Sequence, residues 1–226
     1  MRRELRLRRV ERPLLVAVKL LDSIDSIFRM RRLRPMLASL AISLSLLPAA
    51  AAQRESAMDL HGTARVGGRP VQNAVIWLDA PSLPAAPRVG PRVVLDQRNL
   101  AFSPHVLAVR VGTTVDFPNN DRVFHNVFSF REGKVFNLGL YPVGTSRPVL
   151  FDRPGLSRIF CNIHPNMAAY VMAVDTPYFA VSDQAGAFAI RGAAPRDYRY
   201  HAWRPGGMEI SGDWTPSADR LAVDWP

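Results

Sequence analysis

Residues 161–167 read Cys161-Asn162-Ile163-His164-Pro165-Asn166-Met167. A thiol, an imidazole and a thioether fall within seven residues, and the cysteine is the only one in the chain. A second imidazole stands upstream at His125, in Phe124-His125-Asn126-Val127. Each residue alone has an ordinary use: a cysteine or methionine as core filler, a histidine as a hydrogen-bonded strand residue. Together they make one soft thiolate, two imidazoles and one thioether. That is the donor set of a mononuclear blue-copper centre, with His₂Cys in a trigonal plane and a long, weak axial Met. The spacing suits it. A strand ending at Cys161 puts sulfur at one pole of a sandwich, and a tight loop returns His164 and Met167 to the same ion. His125 arrives from a neighbouring strand. An exported lone thiol is otherwise exposed to oxidation or cross-linking, and ligation accounts for it.

The sequence on either side reads as strands. Short β-branched, aromatic and aliphatic runs are punctuated by Gly, Pro, Asn and Asp, and long amphipathic helical patterns are missing after Gln53. Strands are expected over 71–78, 106–111, 113–117, 126–130, 157–161, 168–175, 178–182, 188–191 and 198–203. Gly112 ends one of them. Within 113–117, Thr113, Val115 and Phe117 share one face and Thr114 and Asp116 the other. Turns are expected at 152–155, 183–186 and 194–197. Strands at this spacing predict an all-β sandwich. Residues 80–91 contain four prolines and are the best linker candidate.

The composition bounds the alternatives. The chain has 226 residues, is 48% hydrophobic and 21% charged, and carries a formal charge of +10. This is globular composition with enough length for a real core. One cysteine excludes an intramolecular disulfide, a Cys-rich zinc module, a c-type haem motif and an all-cysteine iron–sulfur site. The charge is concentrated at the start: residues 1–36 hold eleven Lys or Arg against four Asp or Glu. An uncharged apolar run over 36–47, Pro48 and four alanines follow. These are the three parts of a secretory signal peptide, expected over 1–52, with Met30 the natural start of a signal of ordinary length; an uncleaved N-terminal anchor is the alternative. Residues 53–226 carry only +3, so the basic balance is an export feature rather than a nucleic-acid footprint.

The ligand stretch resembles the cupredoxins, and most closely the amicyanin type, whose ligand loop also reads C-x-x-H-P-x-M. The segment His125-Asn126-Val127 is similar to the cupredoxin first-histidine strand. Residues 111–120 (VGTTVDFPNN) resemble the strand pair before it. The resemblance covers about half of the exported chain. It implies a Greek-key β-sandwich with one type 1 copper site. His125 and His164 would bind through ring nitrogen, Cys161 through thiolate and Met167 through thioether. Asn126 and Pro165 would stand just outside the donors, Asn126 steadying the sulfur and the loop. The exposed edge of His164 would be the electron port, in an apolar patch to which Ile163, Pro165 and Ala168 contribute. The flanks resemble another family: residues 62–79 look like the opening hairpin, and 176–205 the closing strands, of carboxypeptidase regulatory-like, transthyretin-type modules. The whole order is similar to exported methylamine-utilisation-type proteins. The implied organisation is a leader over 1–52, the first strands of a small accessory β-sandwich over 53–86, a cupredoxin-like copper domain over 87–175, and the closing accessory strands over 176–226.

The expected function is outer-sphere electron transfer by a periplasmic copper protein, expected to be a monomer, cycling between Cu(I) and Cu(II). Its partner would be a transient redox protein, a donor dehydrogenase or a c-type cytochrome. Nucleic acid and stable membrane insertion are not expected. Two alternatives stand beside it: a periplasmic copper carrier using the same ligands for storage, and a non-redox β-sandwich binding module with a vestigial cupredoxin. An enzyme is not expected, because the H-x-H and H-C-H patterns of multicopper enzymes do not occur. His61, His105 and His201 read as structural or solvated. Asp116, Asp121 and Glu132, near the first histidine, read as solvated loop charges, with an acidic docking patch as the alternative.

Overall fold

Alternation decides which way each strand faces. In Thr113–Pro118 the side chains of Thr113, Val115 and Phe117 are buried, and the other three are half-buried. The computed structural model describes residues 57–81, 83, 92–216 and 220–226. The expected leader over 1–52 and most of the expected linker over 80–91 lie outside the described residues. Among the described residues every regular element is a strand.

The first strands are β1 (Met58–Val66), β2 (Arg69–Pro70) and β3 (Val75–Asp79). The middle of the chain supplies β4 (Arg92–Val94), β5 (Asp96–Arg98), β6 (Ala101–Ser103), β7 (Val106–Arg110), β8 (Thr113–Pro118), β9 (His125–Ser129), β10 (Phe136–Tyr141), β11 (Ser146–Phe151), β12 (Gly155–Phe160) and β13 (Ala168–Val174). The last strands are β14 (Phe179–Val181), β15 (Ala187–Ala193), β16 (Tyr198–Trp203), β17 (Ile210–Trp214) and β18 (Leu221–Trp225).

The middle strands form a sandwich. One sheet has the order β10-β9-β12-β13-β7, the other β11-β8-β4. Its core interleaves Val109, Val127, Tyr141, Ile159 and Val171 from the first sheet with Val115, Phe117, Val149 and Phe151 from the second. Gly112 turns the chain from one sheet to the other at φ 92°, a backbone angle that a side chain disfavours. Each buried aliphatic or aromatic side chain contributes roughly 1.5–3 kcal/mol by leaving water. Cys161 and Met167 belong to this same cluster.

The flanking strands build two further sheets, β15-β1-β18 and β14-β3-β16-β17, around a core that includes Leu60, Ile76, Leu78, Ile190, Tyr198 and Trp225. β1 and β3 do not pair with each other as an opening hairpin. The tight turn after β1 serves only the two-residue β2, and the chain then crosses to the other sheet. Gly186, at φ 72°, closes the turn before β15; a Cβ there would collide with the Ala64 carbonyl.

β13 is buried on both faces, which explains its unbroken apolar sequence. Ala169, Val171 and Ala173 face the sandwich of the middle strands. Met172 and Val174 face the other way, packing with Val75, Val106 and Trp203. The Tyr170 ring lies 5.1 Å from that of Trp203.

Candidate metal centre

His125 opens β9, where its backbone pairs with Tyr141 of β10. The imidazole is fully buried. Cys161 follows the last residue of β12, Phe160, which is bracketed by Phe128 on one side and Ala168 on the other. The next turn is tied at both ends: the Met167 N–H donates to the His164 carbonyl at 2.9 Å, and the Cys161 N–H donates to the Met167 carbonyl at 3.2 Å. Cys161 is 5% exposed and Met167 1%, while His164 is half-buried.

Three donor atoms converge. The Nδ1 atoms of His125 and His164 are 3.1 Å apart, and Cys161 Sγ lies 3.8 Å from the first and 3.6 Å from the second. The centre of a triangle with these sides is about 2 Å from each corner, the length of a metal–imidazole bond and slightly short of a metal–thiolate bond. The residues therefore fit a single ion in a trigonal plane. A borderline-soft ion suits two imidazoles and a thiolate, and copper in particular would suit a thioether as well, the kind of donor that buried Met167 on the same turn carries. Among the described residues this is the group of His, Cys, Asp and Glu side chains disposed to hold a metal.

The loop that carries His125 is built from below. Asn119 is fully buried; its amide donates to the Val123 carbonyl at 2.9 Å and the Tyr141 carbonyl at 3.3 Å, and its Oδ1 accepts the Asp121 N–H at 3.1 Å. The Tyr141 hydroxyl donates to the Phe117 carbonyl at 2.9 Å and accepts from the Gln97 amide. Burial pushes the Tyr141 phenol up to about 12, against the smaller opposing pull of the Gln97 bond.

Asp121 is the residue that sequence reasoning misplaced. Its side chain is only 8% exposed, and Oδ2 lies 2.9 Å from Nε2 of His125. Burial pushes its carboxyl up, but the Leu100 N–H, the His125 ring and the Arg122 N–H together outweigh that and hold it at about 2. The four-residue spacing to His125 was the available signal. The other two acids near the first histidine are surface pairs: Asp116 with Arg92, and Glu132 with Arg158 at 3.9 Å.

Asn126 is buried, and its amide donates to Asn137 Oδ1 at 2.9 Å, which also accepts the Gly139 N–H. Pro165 is exposed on the ligand turn, beside Ile163 at 47% exposure; Ala168 is half-buried. Val123 and Phe124, leading into His125, are exposed as well. The remaining histidines lie outside the cluster. His61 is in β1, His105 stands 5.4 Å from the Tyr170 ring, and His201 stacks on Trp77 and meets Glu209 at 3.1 Å.

No protein-family model and no curated protein matches the chain. Among solved structures, the chain is similar over 38% of its length to a purple cupredoxin from Nitrosopumilus maritimus, all of which is covered, at 28% identity and a TM-score of 0.33. It is similar over 41% to a copper-containing nitrite reductase from Thermus scotoductus, of which 27% is covered, at 24% identity and a TM-score of 0.36. A variant of amicyanin is matched over 45% of this chain and 99% of its own, at 22% identity and a TM-score of 0.35.

Proposed function

We propose that the chain is an exported one-electron carrier whose middle sandwich is a cupredoxin with a single type 1 copper site. His125, Cys161, His164 and Met167 would hold the ion. The observation that carries this reading is the triangle of His125 Nδ1, His164 Nδ1 and Cys161 Sγ, about the right size for one ion, at the end of a closed β-sandwich. Copper bound there would supply a one-electron Cu(I)/Cu(II) couple.

The protein's own part is to keep the donors still. His125 is immobilised by burial and by bonding at Nε2. Cys161 and His164 are held by the backbone bonds that close the ligand turn. Donors held in one geometry suit both oxidation states and keep reorganisation small. His164 is the donor that is only half-buried, and Ile163 and Pro165 on the same turn are exposed. A small apolar contact of this kind suits a partner that binds briefly, such as a dehydrogenase or a c-type cytochrome. The leader over 1–52 and the lone thiol support a periplasmic location. The reading is of a carrier, not an enzyme.

Loading the purified protein with Cu(II) tests it. The expected result is an intense thiolate-to-copper charge-transfer band that bleaches and returns through repeated reduction and oxidation while the metal stays bound. A colourless Cu(II) protein overturns the proposal. Loss of copper to a chelator at each reduction would replace it with the copper-carrier reading.

A further inference from the structure

The contact between Asp121 and His125 has a direction. A carboxylate offers only acceptors, so in the 2.9 Å contact Nε2 must carry the hydrogen. Nδ1 is then left with its lone pair facing Cys161 and His164. Asp121 is itself fixed. Its Oδ2 also accepts the Leu100 N–H at 2.7 Å, Oδ1 accepts the Arg122 N–H at 2.8 Å, and its own N–H is held by Asn119. Leu100 sits in the turn between β5 and β6, where it and Asn99 adopt positive φ values of 57° and 54°. The ligand histidine is thereby anchored to a turn far from the Cys161–Met167 segment in sequence.

A backbone carbonyl at this place would fix the same tautomer without adding charge. Asp121 adds a negative charge next to a buried ring, where charges interact more strongly than in water. Building on the copper reading above, we propose that Asp121 is a positioning residue of the metal centre: it locks His125 in the Nε2–H tautomer, and its charge favours Cu(II) over Cu(I).

Two variants of the full chain separate the two effects. Asp121→Asn keeps the shape and leaves an amide oxygen to accept from Nε2, while its NH₂ meets the Arg122 N–H at a small cost in stability. Asp121→Ala removes both the acceptor and the charge. Circular dichroism confirms that each variant retains its β-structure. The charge is read from Cu(I) and Cu(II) affinities by competition titration. In Asp121→Asn the Cu(II) affinity falls about tenfold more than the Cu(I) affinity, an upward shift of about 59 mV in midpoint potential. The tautomer is read from the ¹⁵N resonances of His125 in metal-free protein. Protonated Nε2 and bare Nδ1 are expected in the wild type and in Asp121→Asn, and a mixture of tautomers in Asp121→Ala. An unchanged potential in Asp121→Asn overturns the role of the charge. An unchanged tautomer in Asp121→Ala overturns the positioning role. If the wild type shows no thiolate–copper band, the copper reading falls and the charge effect with it; the metal-free tautomer measurement still decides what Asp121 does to His125.

Discussion

The backbone N–H of Cys161 donates to the carbonyl of Met167, so the two sulfur-bearing residues of the ligand turn are fastened to each other by the main chain. Their side chains can therefore be changed one at a time without opening the turn.

Cys161→Ser tests the thiolate. The hydroxyl has nearly the same volume and sits in the same buried position, so the fold should persist. The charge-transfer band requires sulfur and should vanish completely, while His125 and His164 still bind metal weakly. Absorption and electron paramagnetic resonance on the Cu(II)-loaded variant check this. Retention of the wild-type spectrum would show that Cys161 is not a ligand.

Met167→Gln tests the thioether as a ligand. If it is one, an amide oxygen in its place should keep the thiolate–copper colour and alter the potential. The side chain is 1% exposed, so exchanging it for a polar one should also cost about 1–3 kcal/mol of stability. A spectrum and potential identical to the wild type would place Met167 in the core alone.

Tyr141 makes a pH prediction. Its phenol is held at about 12 against an ordinary value of 10, so between these pH values the unfolded chain has lost a proton that the native protein keeps. Its contribution is fully present below pH 10 and is lost as pH rises toward 12. The loss amounts to about 3 kcal/mol. Tyr141→Phe should destabilise by about 1 kcal/mol at neutral pH, because the Phe117 carbonyl and the Gln97 amide each lose one of their partners, and should flatten this part of the alkaline profile. Denaturant titrations at pH 8 and pH 11 measure both. An equal alkaline drop in the two proteins would assign it to another group.

Gly186→Ala separates the flanks from the site. The positive φ and the approach to the Ala64 carbonyl predict a loss of about 2–4 kcal/mol in the β15-β1-β18 sheet. The thiolate–copper spectrum of the folded variant should be unchanged. A lower melting temperature with an altered spectrum would show that the flanking sheets shape the metal centre directly.

Three of the four expected donors were legible together because their information is local. Cys161, His164 and Met167 share one turn, and the run before Cys161 reads as a strand. Asp121 was not legible, because its burial depends on Leu100, in a turn some twenty residues away. A loop aspartate in the sequence alone defaults to solvent. The strands beside the site were easiest to read where alternation is strict, as in Thr113–Pro118. β10 escaped because Gly139 and a register shift interrupt it, and β11 because Pro148 sits at its centre. β5 and β6 are three residues each, too short for any period. The crossing of the chain between β2 and β3 is a matter of long-range pairing, which local sequence does not record.

The double burial of β13 has a consequence for protein engineering. A gene trimmed to the metal-bearing sandwich would leave Met172, Val174 and Val106 facing water along one continuous strip. Such a fragment would carry an adhesive face, and a minimal module cut from this chain around the candidate metal centre needs that strip resurfaced with polar side chains before it can stand alone.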